Sequence, residues 1–462
     1  MISLHLLASA LLAASAQAAT GYIDLSASGG VPDGKASGIL YGVPNGPAYT
    51  PNPVPAVPWN LFKGAGINLM RAGGAQVPAP GWSSGDIKNY EQRFESAKQN
   101  YFDTMANGVK TFVLLPADMW GADSVTKTPV YPCDNGDCTY YGQFLDRVIA
   151  DLKANNMLKG MQIDVWNEPD VPLFWDRSQD QYFQMWDYAF QKYRTAFPSS
   201  SGVTISGPAY TGPPNEGNSW WTKWADHMKN KPAVYPDVIT YHQLLGRQDS
   251  FNDPFESKRV LDIIQSKNNL PRKLVQVNEY AGSDEQSPAY SAWFIGRFER
   301  TGQQGLRANW GYGRNLHNDF ARLVAGVEAG SPYTLGDWHV YNYYTQVQKG
   351  SITRAGADDV LWDLFVTQNR GAKQVNALVG SRGQGTPWNS PDFPITMSSV
   401  STVFGAATKV RAVIKEIPFN NAGRVDAPTV VSNATYNVVN NRVVLPIYSR
   451  VDNAYTIDVY AA

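Results

Sequence analysis

The stretch "QIDVWNEPD" occupies positions 162–170. It reads as a buried strand until the polar triplet Asn167-Glu168-Pro169 stops it. Proline cannot donate a ladder hydrogen bond, so the strand ends there. A carboxylate, Glu168, is left at the strand's C-terminal end, with an amide before it. Seven further segments read as strands: 38–43, 67–73, 110–116, 203–209, 237–243, 273–279 and 336–342. Several are continuous apolar runs, the mark of parallel strands buried on both faces. Helical periodicity falls between them, at 90–108, 142–156, 180–197 and 314–330. The first of these ends in Asn-Gly, a helix stop. Eight strand-then-helix units imply a (β/α)8 TIM barrel over residues 38–371. An open doubly wound sheet would want a glycine-rich phosphate loop after its first strand. "GAGINLM" (64–70) lacks the third glycine and precedes a strand.

The eighth strand has two contenders, 306–313 and "GDWHVYN" (336–342). The second is preferred, because 314–330 then serves as the seventh helix and 354–371 as the eighth. Residues 285–313 become an insertion near the top of the seventh strand. From 372 the segments are short, β-branched and separated by turns. They read as a small β-sandwich over 372–462, which the stretch 19–37 joins through an edge strand in "GYIDLSASG".

Composition narrows the partners. A net charge of −1 over 462 residues gives no pull toward nucleic acid or an anionic membrane. The 14 Trp, 25 Tyr and 18 Phe are many, and Trp and Tyr suit both sugar faces and a large core. Residues 1–18 form an apolar Leu/Ala stretch ending in Ala16-Gln17-Ala18, which reads as a signal peptide lacking the usual basic start. The mature chain is expected to be secreted and extracellular. In that setting Cys133 and Cys138, flanking a tight turn, read as one disulfide. Asn433, in Asn433-Ala434-Thr435, is an N-glycan acceptor in a eukaryotic host. Oligomeric state is not legible.

A (β/α)8 barrel places its chemistry at the C-terminal ends of its strands. Glu168 ends the fourth strand and Glu279, in "KLVQVNE" (273–279), ends the seventh. Two carboxylates facing one cleft can cleave a glycosidic bond. One donates a proton to the leaving oxygen; the other attacks the anomeric carbon when the pair lies about 5–5.5 Å apart. Neither step needs a metal or an organic cofactor, and none is expected. His227, His317 and His339 show no metal-ligand spacing.

The motifs "VWNEPD" and "VNEYAG" resemble those of the clan A retaining glycoside hydrolases. That resemblance implies Glu168 as acid/base, Glu279 as nucleophile and Asn167 as donor to the sugar's 2-hydroxyl. "DVITYHQL" and "KGSITRAGADDVLWDLF" are similar to stretches of family 39, the β-xylosidase and iduronidase family. The first implies His242 at the cleft. Leu244 departs from the tyrosine usual two residues after that histidine.

Arg71, ending "INLMR", is expected to brace the nucleophile, with a surface ion pair as the alternative. Trp338 and Trp120 are expected subsite platforms, with core packing as the alternative for Trp338. Trp220, Trp221 and Trp224 read as helix packing. The leading expectation is a secreted retaining glycosidase of oligo- or polysaccharides, β-xylosidase-like activity coming first. The alternatives are a transglycosylase using the same residues and a non-catalytic carbohydrate-binding barrel.

Overall fold

The computed structural model describes residues 19–44, 56–75, 77–122, 130–247, 249, 251–308, 317–382 and 393–462. Residues 1–18, read as a signal peptide, lie outside them. Strand β1 (Gly21–Asp24) precedes eight parallel strands that close a barrel. These are β2 (Gly38–Leu40), β3 (Leu69–Ala72), β4 (Thr111–Leu114), β5 (Met161–Asp164), β6 (Thr204–Tyr210), β7 (Val238–Gln243), β8 (Leu274–Tyr280) and β9 (Gln304–Arg307). Helices α1 (Trp59–Gly64), α2 (Ile87–Ala106), α3 (Pro116–Trp120), α4 (Thr139–Ala154), α5 (Gln179–Ala196), α6 (Ser219–Asn230), α7 (Pro254–Lys267) and α8 (Pro288–Thr301) connect them. The ring closes where Gly38 and Ile39 pair with Leu306 and Arg307.

The last part of the barrel corrects the sequence reading. The eighth strand is β9, inside the rejected contender. Segment 336–342 is helix α9 (Gly336–Asn342). Within 314–330 the described residues form turns and one strand of a small ribbon, β10 (Val324–Ala325) with β11 (Tyr333–Thr334). The seventh helix is α8, in the stretch taken for an insertion. It has Pro288 in its first turn and Gly302 past its end at φ 72°, both standard signals. Its residues from Pro288 to Phe298 are all buried, so it has no polar face to show a helical period.

The second layer system is a sandwich. Strands β12 (Ser351–Ile352), β13 (Arg354–Ala357), β14 (Trp362–Asn369), β15 (Gln374–Ser381), β16 (Ile395–Ser398), β17 (Lys409–Ile417), β18 (Thr429–Asn437), β19 (Arg442–Leu445) and β20 (Ala454–Ala461) build it, with one short helix, α10 (Ser401–Phe404). Six form a sheet ordered β12-β14-β15-β20-β17-β18; the other is β13-β1-β16-β19. The expected eighth helix, 354–371, is thus strands β13 and β14, and the sandwich begins near residue 351 instead of 372. Strand β1 is no edge: it lies between β13 and β16.

The barrel interior is divided. Leu40, Leu69, Val113 and Leu306, from β2, β3, β4 and β9, form an apolar cluster separate from the main core. Across from it Gln162 donates to Gln276 at 3.0 Å, and Gln276 to Gln304 at 3.1 Å. Inward positions on β5, β7 and β8 carry Asp164, Thr240 and Asn278, while Ile163, Tyr241 and Val277 join the outer core. The polar half of the interior leads up to the mouth where Glu168 and Glu279 sit.

Candidate active site at the mouth of the barrel

Each side chain arrives here by a local backbone device. Strand β5 ends at Asp164, and Glu168 follows in the loop at φ 41°, a left-handed conformation costly for a non-glycine residue. Its N–H donates to the carbonyl of Ala209 at 3.0 Å, which ties it to the end of β6. On β8 the register with β7 slips, so that Tyr241 pairs with Val277 and His242 with Glu279. The extra residue, Asn278, is a bulge of the kind that re-aims side chains beside active sites. It lets Asn278 and Glu279 both serve the mouth. Glu279 therefore lies at the end of the seventh barrel strand as the sequence implied, whereas Glu168 lies four residues past the fourth strand and not on its last residue.

Arg71, on β3, organises the group. Its Nη1 donates to Glu279 Oε1 at 2.8 Å, Nη2 to Asn167 Oδ1 at 2.8 Å and Nε to Asp164 Oδ2 at 3.0 Å. It is 3% exposed, so the alternative of a surface ion pair is excluded. Because the guanidinium only donates, it fixes the oxygen of Asn167 and turns that amide's NH2 toward other acceptors. Glu168 Oε1 lies 2.7 Å from His242 Nδ1, and His242 Nε2 lies 3.7 Å from Glu279 Oε1. Ligand-capable atoms of Glu168, His242 and Glu279 all lie within 4.8 Å of one another.

The two carboxyls differ in their partners. Burial pushes Glu168 up to about 7, with Arg71 opposing. Burial also raises Glu279, but His242 and Arg71 act against that rise, and Arg71 grips it directly. When the pair holds one proton, that contact assigns the charge to Glu279 and the proton to Glu168. Burial lowers His242, which keeps its ring neutral near pH 7. Glu279 Oε2 is buried and has no hydrogen-bond partner among the described residues.

Two contributors were not foreseen. Asp164 is fully buried and accepts from Arg71, Asn278 (2.8 Å), Ser206 (3.0 Å) and Thr240 (3.2 Å). A lone Asp inside an apolar strand run was the signal for it. Tyr41, one residue past β2, is near enough for the Glu279 charge to add to burial in holding its hydroxyl protonated. Nothing in its local sequence marks it.

The tryptophan expectations fail. Trp120 is fully buried; it donates to Val130 O at 3.0 Å and packs edge-on against Tyr140, Tyr141 and Phe144. Trp338 sits on α9 and donates to Leu61 O of α1 at 2.8 Å, in the outer layer. Both are packing residues, because the loop expected around Trp120 and the strand expected around Trp338 are helices instead. Trp221 and Trp224 are core, as read. His227 pairs with Asp187 and His339 with the carbonyl of Val425. Cys133 and Cys138 are joined. Asn433 is exposed on β18.

The Glu168, His242 and Glu279 cluster has the donor types of a metal site. The guanidinium on Glu279 Oε1 works against one, since a cation there would face a fixed positive charge.

No protein-family model matches this chain, and no curated protein matches it in sequence. Solved structures do. A protein from Neocallimastix frontalis aligns over 96% of this chain and 100% of its own at TM-score 0.71 and 18% identity. A bifunctional glucanase-xylanase from a metagenome library aligns over 96% and 99% at 0.60 and 12% identity. A glycoside hydrolase family 39 enzyme from Xanthomonas axonopodis pv. citri aligns over 96% and 97% at 0.59 and 12% identity. At these identities the likeness shows the fold, a (β/α)8 barrel with a C-terminal β-sheet domain. The particular chemistry must come from the site.

Proposed function

We propose that this protein is a retaining glycoside hydrolase, with Glu168 as acid/base and Glu279 as nucleophile. The observation that carries the reading is the approach of the two carboxylates, one oxygen of each lying within 4.8 Å of the other. Retaining enzymes hold their pair at about 5–5.5 Å, whereas inverting ones need about 6.5–9.5 Å to seat a water between. The glycoside hydrolase folds above are consistent with it.

Protonated Glu168 gives its proton to the glycosidic oxygen as the bond to the anomeric carbon breaks. Glu279 attacks that carbon through a carboxylate oxygen, and a covalent glycosyl-enzyme forms. Glu168, now a carboxylate, takes a proton from water. The water attacks the anomeric carbon, expels Glu279, and restores both groups. The Asn167 amide, oriented by Arg71, donates to the 2-hydroxyl, a bond that strengthens in the transition state.

A β-xyloside is the first substrate of choice, on the resemblance to family 39. Export through residues 1–18 belongs to the same proposal, and the Cys133–Cys138 disulfide supports an oxidising destination. The test is turnover of α- and β-linked aryl glycosides by the wild type and Glu279→Gln. One glycone should turn over, with loss of several orders of magnitude in the variant. Proton NMR of the first-formed sugar should show the substrate's own anomeric configuration. Full activity in Glu279→Gln, or the opposite anomer, would sink the assignment.

A further inference from the structure

Away from the barrel, the sandwich has a cavity of about 290 Å³ beside its edge strand β18. Residues from β17, β18, β20 and the segment after β19 line it. That volume is near the lower end of small-molecule sites, about 300–1,000 Å³, the size of a compact ligand. Ile414, Val431 and Pro446 supply apolar lining. At its rim stands Tyr448, 66% exposed. Its ring is open to water beside the cavity.

The polar side of the cavity is built. Glu416 is 8% exposed, and its Oε1 accepts from Asn453 Nδ2 at 2.9 Å and Tyr455 Oη at 3.1 Å. Asn453 is in turn held by the N–H of Phe419 at 2.8 Å. Both bonds fall on Oε1, which leaves Oε2 to accept from a guest. Arg450, with 76% of its side chain exposed, stands 3.6 Å from Glu416 Oε1 and brings donors to the same rim. Ser432 adds a hydroxyl.

We propose that this cavity is a non-catalytic binding site for a neutral saccharide unit. The Tyr448 ring offers a flat face to the C–H side of a sugar, and Glu416, Arg450 and Ser432 exchange hydrogen bonds with its hydroxyls. The paired charges select a neutral guest. A phosphate would meet the Glu416 carboxylate, and a purely apolar ligand would strand it without water. The site lies on the sandwich and uses no residue of the barrel mouth. It therefore stands independently of the glycosidase reading, and would hold the chain on a polymer while the barrel works elsewhere along it.

The experiment is depletion of the full-length protein from solution by insoluble xylan, cellulose, mannan and chitin. Wild type, Tyr448→Ala and Tyr448→Phe are compared, with melting curves to check folding. At least one polymer should retain the wild type. Tyr448→Ala should weaken that retention about tenfold, the scale of one aromatic contact, and Tyr448→Phe should keep it. Turnover of small aryl glycosides should be the same in all three. Equal retention of Tyr448→Ala, or no retention of the wild type by any polymer, overturns the proposal. So does a wild-type dimer that Tyr448→Ala dissociates, which would assign this face to a second copy. Tyr448-dependent retention without any glycoside turnover would leave this site standing and sink the glycosidase reading instead.

Discussion

Glu168 and Glu279 are the same side chain in two environments. Arg71 hydrogen-bonds Glu279 and not Glu168, and that contact favours the charge on Glu279, as the proposed division of roles requires. The separation has a visible pH signature. Glu168 keeps its proton up to about pH 7, so kcat/KM on substrates with poor leaving groups should fall as pH rises through about 7. A pH–rate profile checks it, and Glu168→Gln should abolish that limb together with most of the rate. Stability responds in the same window. A free glutamate ionises near 4.5, so between 4.5 and about 7 the folded state binds the extra proton. Stability therefore falls as pH rises across that window, and the cost stays constant above it. Glu168→Gln removes the cost. Denaturant titrations should find it more stable than wild type at about pH 8, by up to about 3 kcal/mol at 1.36 kcal/mol per tenfold in acidity. The gain should vanish below pH 4.5. An equal gain at all pH values would mean that Glu168 is not the titrating group.

At the level of elements, the barrel's closure depends on a contact between its last strand and a helix distant in sequence. Arg307, on β9, is fully buried and pairs with Asp337 on α9 at 2.6 Å. It also donates to Ser291 and Gln286 at 2.9 Å each and to the carbonyl of Ala321 at 3.0 Å. The sequence reading misplaces the eighth strand because it counts 314–330 as the seventh helix, which puts the last strand after it. The described residues of that stretch form turns and β10, and the pair that holds β9 is visible only in the fold. Asp337→Ala leaves the guanidinium buried and unpaired, so it should cost about 3–5 kcal/mol by chemical denaturation. A cost below about 1 kcal/mol would show that the pair does not secure the closure.

For the whole molecule, barrel and sandwich are joined through α8. Asp363 on β14 is fully buried, lies 3.2 Å from Arg297 Nη1, and also pairs with Arg300, both on that helix. Arg382, at the end of the sandwich segment after β15, bonds the carbonyls of Gly246 and Asp249 in the loop after β7. The sandwich thereby braces the loop that follows His242. Because β1 lies inside the smaller sheet, both ends of the described chain are woven into one unit. Unfolding should show a single cooperative transition by fluorescence and circular dichroism. Asp363→Ala should lower stability by about 3–5 kcal/mol without splitting the transition. Two separate transitions in the wild type would show that the layers fold independently.

The local sequence determined the barrel class and its two principal carboxylates. Runs buried on both faces, stopped by polar residues at their C-terminal ends, are a periodic signal that needs no distant partner. Arg71 was legible from its strand end, whereas Asn167, three residues past β5, and His242, on β7, came from the resemblance of their motifs. Only the tertiary structure decided where the barrel stops and the sandwich begins. Strands β13 and β14 read as a helix alone, and α8, buried between the sandwich and the rest of the barrel, shows no helical face. Asp164, a hub for four donors, needed the strands on either side of it before its role appeared. The tryptophans reversed for the same reason: an aromatic ring is equally at home on a sugar or in a core, and only the packing around Trp120 and Trp338 chooses.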